Sequence, residues 1–490
     1  MKFAEAIKNE SRKTFTENGA TAYNTTCSAV LDLFSTIGSL READESRVRT
    51  LFDEAYREDP LLATKCLFYA RDIRGGLGER RTFRILLGHI AENHPEALTN
   101  NIHLIPFFGR YDDLYTLVGT PAEDAMWKIV NMQLNLDIAA MNAGKPCSLL
   151  AKWLKTADAS SKATRELGIY TAGKVHRSVY DYKRVVRALR RYIDVVEVKM
   201  SERRWDEIAY AGVPSKAMTI YRNAFMKHDG ERFKEFIGKV ETGEEKINAA
   251  TLYPYDIVGS YGCDSYWWRH RDTKVDPILE AQWKALPNYV EPGTNAIVVA
   301  DTSGSMTGRP MCSAVSLAIY FAERNTGDYH GLWMSFSSDS KVQRIKGDTL
   351  RDKINNIDYE HWGSNTNLEA AFMNILEIAE ENDVAPKEMV KSIIVISDME
   401  IDFCAGNWSF YNEMEKRFRE AGYVIPSVVF WNVNSRHDIF HADKNRKGVV
   451  LCSGQSASTF KHVVESADKT PVELMLGVLN DERYSVITIA

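Results

Sequence analysis

The sequence predicts an α plus α/β protein, with a helical repeat region over 1–290 and a doubly wound, Rossmann-like sheet domain over 291–490. Three observations carry this. Apolar residues recur at helical spacing through the first 290 positions, broken by Pro and Gly. From 294 onward, short apolar runs alternate with amphipathic segments, the pattern of strands and crossover helices. The chain has 490 residues, more than a single core usually serves, so two parts are the default.

In chain order, helices are expected at 41–57, with Val48, Leu51, Phe52 and Ala55 on one face, and at 61–73, after Pro60. Further helices follow at 82–93, 112–117 and 123–141. Short helices on short loops suggest HEAT-like pairs, although no clean period is present. The stretch Gly75-Gly-Leu-Gly78 follows no strand and lacks a Gly-Lys-Ser/Thr ending, so it is a poor nucleotide loop. The five arginines from Arg71 to Arg84 leave two readings open: an anion-binding turn or a solvated corner between helices. Tyr266-Trp-Trp268 reads as packing at the joint between the two parts. Strands are expected at 296–300, 332–336, 342–345, 392–396, 425–431 and 449–451. Helices are expected at 311–324, 350–355, 368–381, 408–421, 457–465 and 472–479.

Ligands of such sheets bind beyond the carboxyl ends of the strands. Three loops there are rich in hard oxygen donors. Asp301-Thr-Ser-Gly-Ser305 follows the first strand and presents Asp301, Ser303 and Ser305 at period-two spacing. Taken alone, it could equally be an Asx/Ser turn. Thr366 precedes the helix at 368, and Asp398 follows the strand at 392–396. Two carboxylates and three hydroxyls converging from three loops suit Mg²⁺ or another divalent cation, since Mg²⁺ takes few carboxylates and retains water. These loops contain no His or Lys base; the nearest histidine is His361, so an enzymatic role is not expected.

The net charge is −6, yet residues 151–204 carry fourteen Lys and Arg against six Asp and Glu, a local +8. Lys183, Arg187, Arg190 and Arg191 line one helical face, with Lys174, Arg177 and Arg184 nearby. Such a face on an acidic protein is a footprint for phosphate backbones. A solvated face balanced by acidic neighbours remains the alternative. Tyr170, Tyr180, Tyr182 and Tyr192 could stack on unpaired bases or belong to the core.

The order Asp301, Ser303, Ser305, then Thr366, then Asp398 resembles the metal-ion-dependent adhesion site (MIDAS) of von Willebrand factor A domains. That resemblance implies a Mg²⁺ with one position open to an acidic group of a partner. A helical region ahead of such a domain resembles the layout of Ro autoantigen-type (TROVE) proteins. The phrases Arg71-Asp-Ile-Arg-Gly-Gly-Leu-Gly-Glu-Arg80, Ile105-Pro-Phe-Phe-Gly-Arg-Tyr-Asp-Asp113 and Met200-Ser-Glu-Arg-Arg-Trp-Asp-Glu-Ile208 resemble a bacterial and viral group of that layout. The Ro resemblance implies a ring of helical repeats that binds small structured or misfolded RNA on its basic surface. The alternative is a metal-dependent adaptor, for example to a MoxR-type AAA+ ATPase, without RNA binding. Seven scattered cysteines without a CxxC pair, and no long apolar run, lead us to expect reduced thiols, no membrane span and a cytoplasmic protein.

Overall fold

The computed structural model describes residues 11–262, 274–336, 340–359, 362, 365–402, 410–463 and 469–489. The Tyr266–Trp268 stretch, Cys263, Cys404 and His361 lie outside the described residues.

All six expected C-terminal strands form, each within two residues of its expected bounds. They are β3 (Ala296–Asp301), β4 (Leu332–Phe336), β5 (Lys341–Arg344), β6 (Ser392–Ser397), β7 (Ser427–Asn432) and β8 (Val449–Ser453). Their order is β5-β4-β3-β6-β7-β8, parallel except for the β4/β5 pair. The chain runs outward from β3 to β5 and then returns to the other side of β3 with β6. The switch point of the sheet therefore lies between the carboxyl ends of β3 and β6, where open α/β sheets hold ligands.

Alternation along each buried strand divides the side chains between two cores. Val298 and Ala300 of β3, Ile394 and Ile396 of β6, and Val429 and Trp431 of β7 point into one. Val299, Ile393, Val395, Val428 and Phe430 point into the other. The Arg309–Arg324 helix covers the first face, contributing Ala314, Val315, Ala318 and Phe321. The Leu368–Glu381 and Phe410–Glu420 helices cover the second with Phe372, Leu376, Met414 and Phe418. Helices on both faces explain why these strands read as unbroken apolar runs.

The N-terminal helices Ala29–Thr36, Glu45–Glu58, Pro60–Arg71 and Arg81–Asn93 extend the first core. At the seam, Gly38 donates its N–H to Ser453 Oγ at 3.0 Å. A Cβ there would meet the Gly454 backbone at 2.6 Å, so only glycine permits this approach of helix end to strand end. A smaller core of Tyr210, Phe225, Phe233 and Phe236 gathers residues from Val196 to Ile247 and Ile278. Helices of the N-terminal region range from 4 residues (Ile105–Phe108) to 20 (Glu123–Asn142), so the region is α-rich without a fixed repeat length.

One element was not legible in the sequence. β1 (Lys13–Phe15) and β2 (Thr21–Tyr23) form an antiparallel hairpin. Strands of three residues carry too little alternation to register as a pattern. Among the described residues, no helix is long and apolar enough to cross a membrane. The described cysteines form no disulfide; Cys66, Cys312 and Cys452 are buried, Cys147 is half-buried and Cys27 is exposed.

Candidate metal centre

Asp301 ends one of the two strands that flank the switch point and Asp398 follows the other, and local contacts hold the loops of the other predicted donors near them. β3 ends on Asp301, and the following turn is closed by the Ser303 N–H donating to Asp301 Oδ1 at 2.9 Å. Ser303 and Ser305 then lie with their hydroxyl oxygens 3.1 Å apart. On the neighbouring strand, Ser397 Oγ donates to Asp301 Oδ2 at 2.6 Å, tying the two strand ends together, and Asp398 follows it directly. Asn367 caps the Leu368–Glu381 helix by accepting from the Ala370 N–H, which fixes Thr366 just ahead of that helix. The Thr366 carbonyl accepts from the Asp402 N–H at 2.9 Å, joining this loop to the one carrying Asp398. Asp301, Ser303, Thr366 and Asp398 are all buried, whereas Ser305 faces outward.

The loop after β6 is held under constraint. Met399 has φ 69°, left-handed backbone that a non-glycine residue keeps only when its surroundings compel it. Its N–H donates to Ser397 Oγ at 3.0 Å, and its carbonyl accepts from His441 Nε2 at 3.1 Å. Burial pushes the His441 imidazole down to about 4, so this ring is neutral.

The electrostatics are those of a cluster short of positive charge. Burial, and then the negative charge of Asp398, push the Asp301 carboxyl up to about 7, outweighing the hydrogen bonds from Ser397 and Ser303. Two buried carboxylates with three hydroxyls and no soft donor are the chemistry a hard divalent cation neutralises. The set fits Mg²⁺ on these grounds. Among the described residues, no group of three or more His, Cys, Asp or Glu is placed to hold a metal, so a zinc-type ligand set is not part of this cluster.

Tertiary structure adds residues that no motif announced. Arg436, from the β7–β8 connection, sets Nη2 3.1 Å from Asp398 Oδ2 and Nη1 2.6 Å from Glu17 Oε2. His437 Nδ1 lies 2.9 Å from the buried Glu400 Oε1. Glu17 and Asn18 come from the turn between β1 and β2, almost 300 residues before Asp301. No sequence signal could have found them, because their role rests entirely on where that hairpin docks.

The basic segment folds differently from what its composition suggests. Lys183 pairs with Asp158 at 3.2 Å and Arg187 with the same carboxylate at 3.7 Å. Arg184 pairs with Asp181, Arg191 with Glu202, and Lys174 with Glu123 and Asp124. Arg177 donates to Asn135 Oδ1 at 3.0 Å. Arg190 turns inward and donates to the carbonyls of Ala151 and Leu154 at 2.8 and 2.7 Å, which makes it a structural strut. Tyr182 is buried, with its hydroxyl on the Lys155 carbonyl, while Tyr180 is 76% exposed. The arginines between 71 and 84 resolve as a corner between helices. Arg71, Arg80 and Arg84 pair with Asp112 and Asp113, Arg81 donates to the carbonyls of Arg41 and Ala43, and Arg74 to that of Phe107.

A domain of unknown function, DUF7788, matches residues 295–482, the sheet and its helices. An uncharacterized protein of Acanthamoeba polyphaga mimivirus is 28% identical over 508 residues, covering 95% of this chain and 87% of that relative. Neither matching family is a Ro or a von Willebrand factor A family. A second domain of unknown function, DUF2828, matches residues 16–137 and 143–292, more than half of the chain, and the protein belongs to that family.

Proposed function

We propose that this protein is a non-catalytic, divalent-cation-dependent recognition protein, built as a helical region (1–290) joined to a von Willebrand factor A-like sheet domain (291–490). The observation that carries the reading is the buried Asp301–Asp398 pair at the switch point of the sheet, with Ser303 hydrogen-bonded to Asp301, Ser305 beside Ser303, and the Thr366 loop joined to the loop after Asp398. Asp301 and Asp398 would balance the charge of Mg²⁺, and the three hydroxyls would complete an oxygen shell. A bound Mg²⁺ supplies a Lewis-acidic point that grips an acidic side chain of a protein partner, of which a MoxR-type AAA+ ATPase is one candidate. Ser397 and the Ser303 N–H hold Asp301 in orientation, and Arg436 does the same for Asp398.

Calorimetric titration of Mg²⁺ or Mn²⁺ into the full-length protein tests the reading. One saturable site is expected, absent in Asp301→Ala; equal heats in the two proteins would remove the metal from the account.

RNA binding by a Ro-type helical ring is the second reading. Tyr180, Arg184, Arg187 and Arg191 favour it, standing exposed on one helix. Each of those arginines, however, already holds a carboxylate of its own chain, which ranks this reading below the first. A small structured RNA should be retained at ~0.1 M salt by wild type and lost on changing Arg184, Arg187 and Arg191 to Glu. No retention by wild type eliminates it.

A further inference from the structure

We propose that the β1–β2 hairpin is a cap over the candidate metal centre, with Glu17 and Asn18 at its tip controlling what reaches the cation. This rests on the metal reading above and adds to it the means by which access is governed.

The hairpin lies across the loops that carry two of the five donors. Asn18 Nδ2 donates to the Glu400 carbonyl at 2.7 Å and stands 3.5 Å from the Thr366 hydroxyl. The Glu17 N–H donates to Glu400 Oε2 at 2.7 Å, and Thr16 Oγ1 donates to the Ile401 carbonyl at 2.7 Å. Behind the tip, Tyr23 and Phe440 exchange both main-chain hydrogen bonds at 2.9 Å, and Gly19 bridges Asp402. Gly19 closes the turn with φ 88°, left-handed backbone that glycine adopts freely, and donates its N–H to the Thr16 carbonyl at 3.0 Å.

The charges link the tip to the donors. Arg436 spans Asp398 and Glu17, so the carboxylate at the mouth and the carboxylate in the site share one guanidinium. A cation entering beside Asp398 takes up negative charge that Arg436 now balances and repels the guanidinium, which loosens its hold on the tip. Glu17 is only half covered and shares Arg436 with Asp398, so its carboxylate competes with an incoming carboxylate for the cation. A two-stranded hairpin is marginal by itself, which makes these docking contacts the hold that must be released.

The test loads the full-length protein with Mn²⁺ and measures water-proton relaxation per bound ion. The Glu17→Gln/Asn18→Ala double variant should raise that relaxation about twofold, because Mn²⁺ keeps open positions that solvent fills once the tip is loosened. Its release of Mn²⁺ to excess EDTA should also be faster. Saturable Mn²⁺ binding with unchanged relaxation and release overturns the cap and leaves the metal reading standing. No saturable binding by wild type overturns both. Wild type alone gives an independent check through hydrogen exchange at the amides of Glu17 and Tyr23. Release of Mg²⁺ more rapid than the opening of these amides would also overturn the cap.

Discussion

The metal centre and the basic helices both stand out in the sequence as concentrations of charge, but they fold in opposite senses. On the Val179–Tyr192 helix every predicted cation finds a partner in the chain: Asp158 for Lys183 and Arg187, Glu202 for Arg191, main-chain carbonyls for Arg190. At the carboxyl ends of β3 and β6 two carboxylates are buried together, with one guanidinium, that of Arg436, on Asp398, and among the described residues Asp301 meets hydroxyl and amide donors. The contrast teaches that a run of like charge along a chain says little about its field in space. What marks a site is buried charge that the fold balances only in part.

The largest expected effect bears on that imbalance. Mg²⁺ at 100 times its dissociation constant should stabilise wild type by about 2.7 kcal/mol and Asp301→Asn by none. The metal-free variant should melt no lower than metal-free wild type, since the amide relieves repulsion with Asp398. Melting curves with Mg²⁺ and with EDTA check both, and a metal-free variant that melts well below wild type would make Asp301 a structural residue.

Next comes the support of the metal-site loop. His441 holds the Met399 carbonyl through Nε2, and among the described residues its buried Nδ1 has no hydrogen-bond partner. The unfolded chain protonates this ring below about 6.5, whereas the folded protein resists doing so until about 4. Its contribution is therefore complete above 6.5 and is lost as the pH falls toward 4. Between pH 7 and pH 5 the loss should be about 2 kcal/mol, measured by denaturant unfolding at each pH. The His441→Gln variant should lack this part of the slope.

The smallest effect separates two arginines of one helix. Arg190→Ala should cost about 1.5 kcal/mol, because it leaves buried carbonyls of Ala151 and Leu154 without their donor. Arg187→Ala should fall within about 0.5 kcal/mol of wild type, since its exposed pair with Asp158 is weak. Equal costs in urea unfolding would mean that the helix does not divide into a structural and a solvent-facing part.

The legibility of the fold followed element length and burial. Strands buried on both faces and long amphipathic helices were readable because their periodicity spans enough residues. The bounds of Leu350–Asn355 and Leu368–Glu381 match expectation, helped by Thr349 and Asn367 as caps. The positions of the five candidate donors beside strand and helix ends were readable because those elements were themselves readable. The hairpin at 13–23 was not, and with it went Glu17 and Asn18. Arg190 could not be told from its neighbours, because spacing assigns a helical face but not whether a nearby turn, here 151–154, supplies carbonyls to it.

The sequence by itself determined the order of strands and helices in the sheet domain and put Asp301 and Asp398 at the carboxyl ends of β3 and β6, since periodicity and strand-end position are local properties of the chain. Only the tertiary structure decided what surrounds those carboxylates. Arg436 beside Asp398, Glu17 at the mouth and His441 under the Met399 carbonyl come from segments far apart in sequence. Their charge and hydrogen-bonding roles exist only once burial has removed water as the alternative partner.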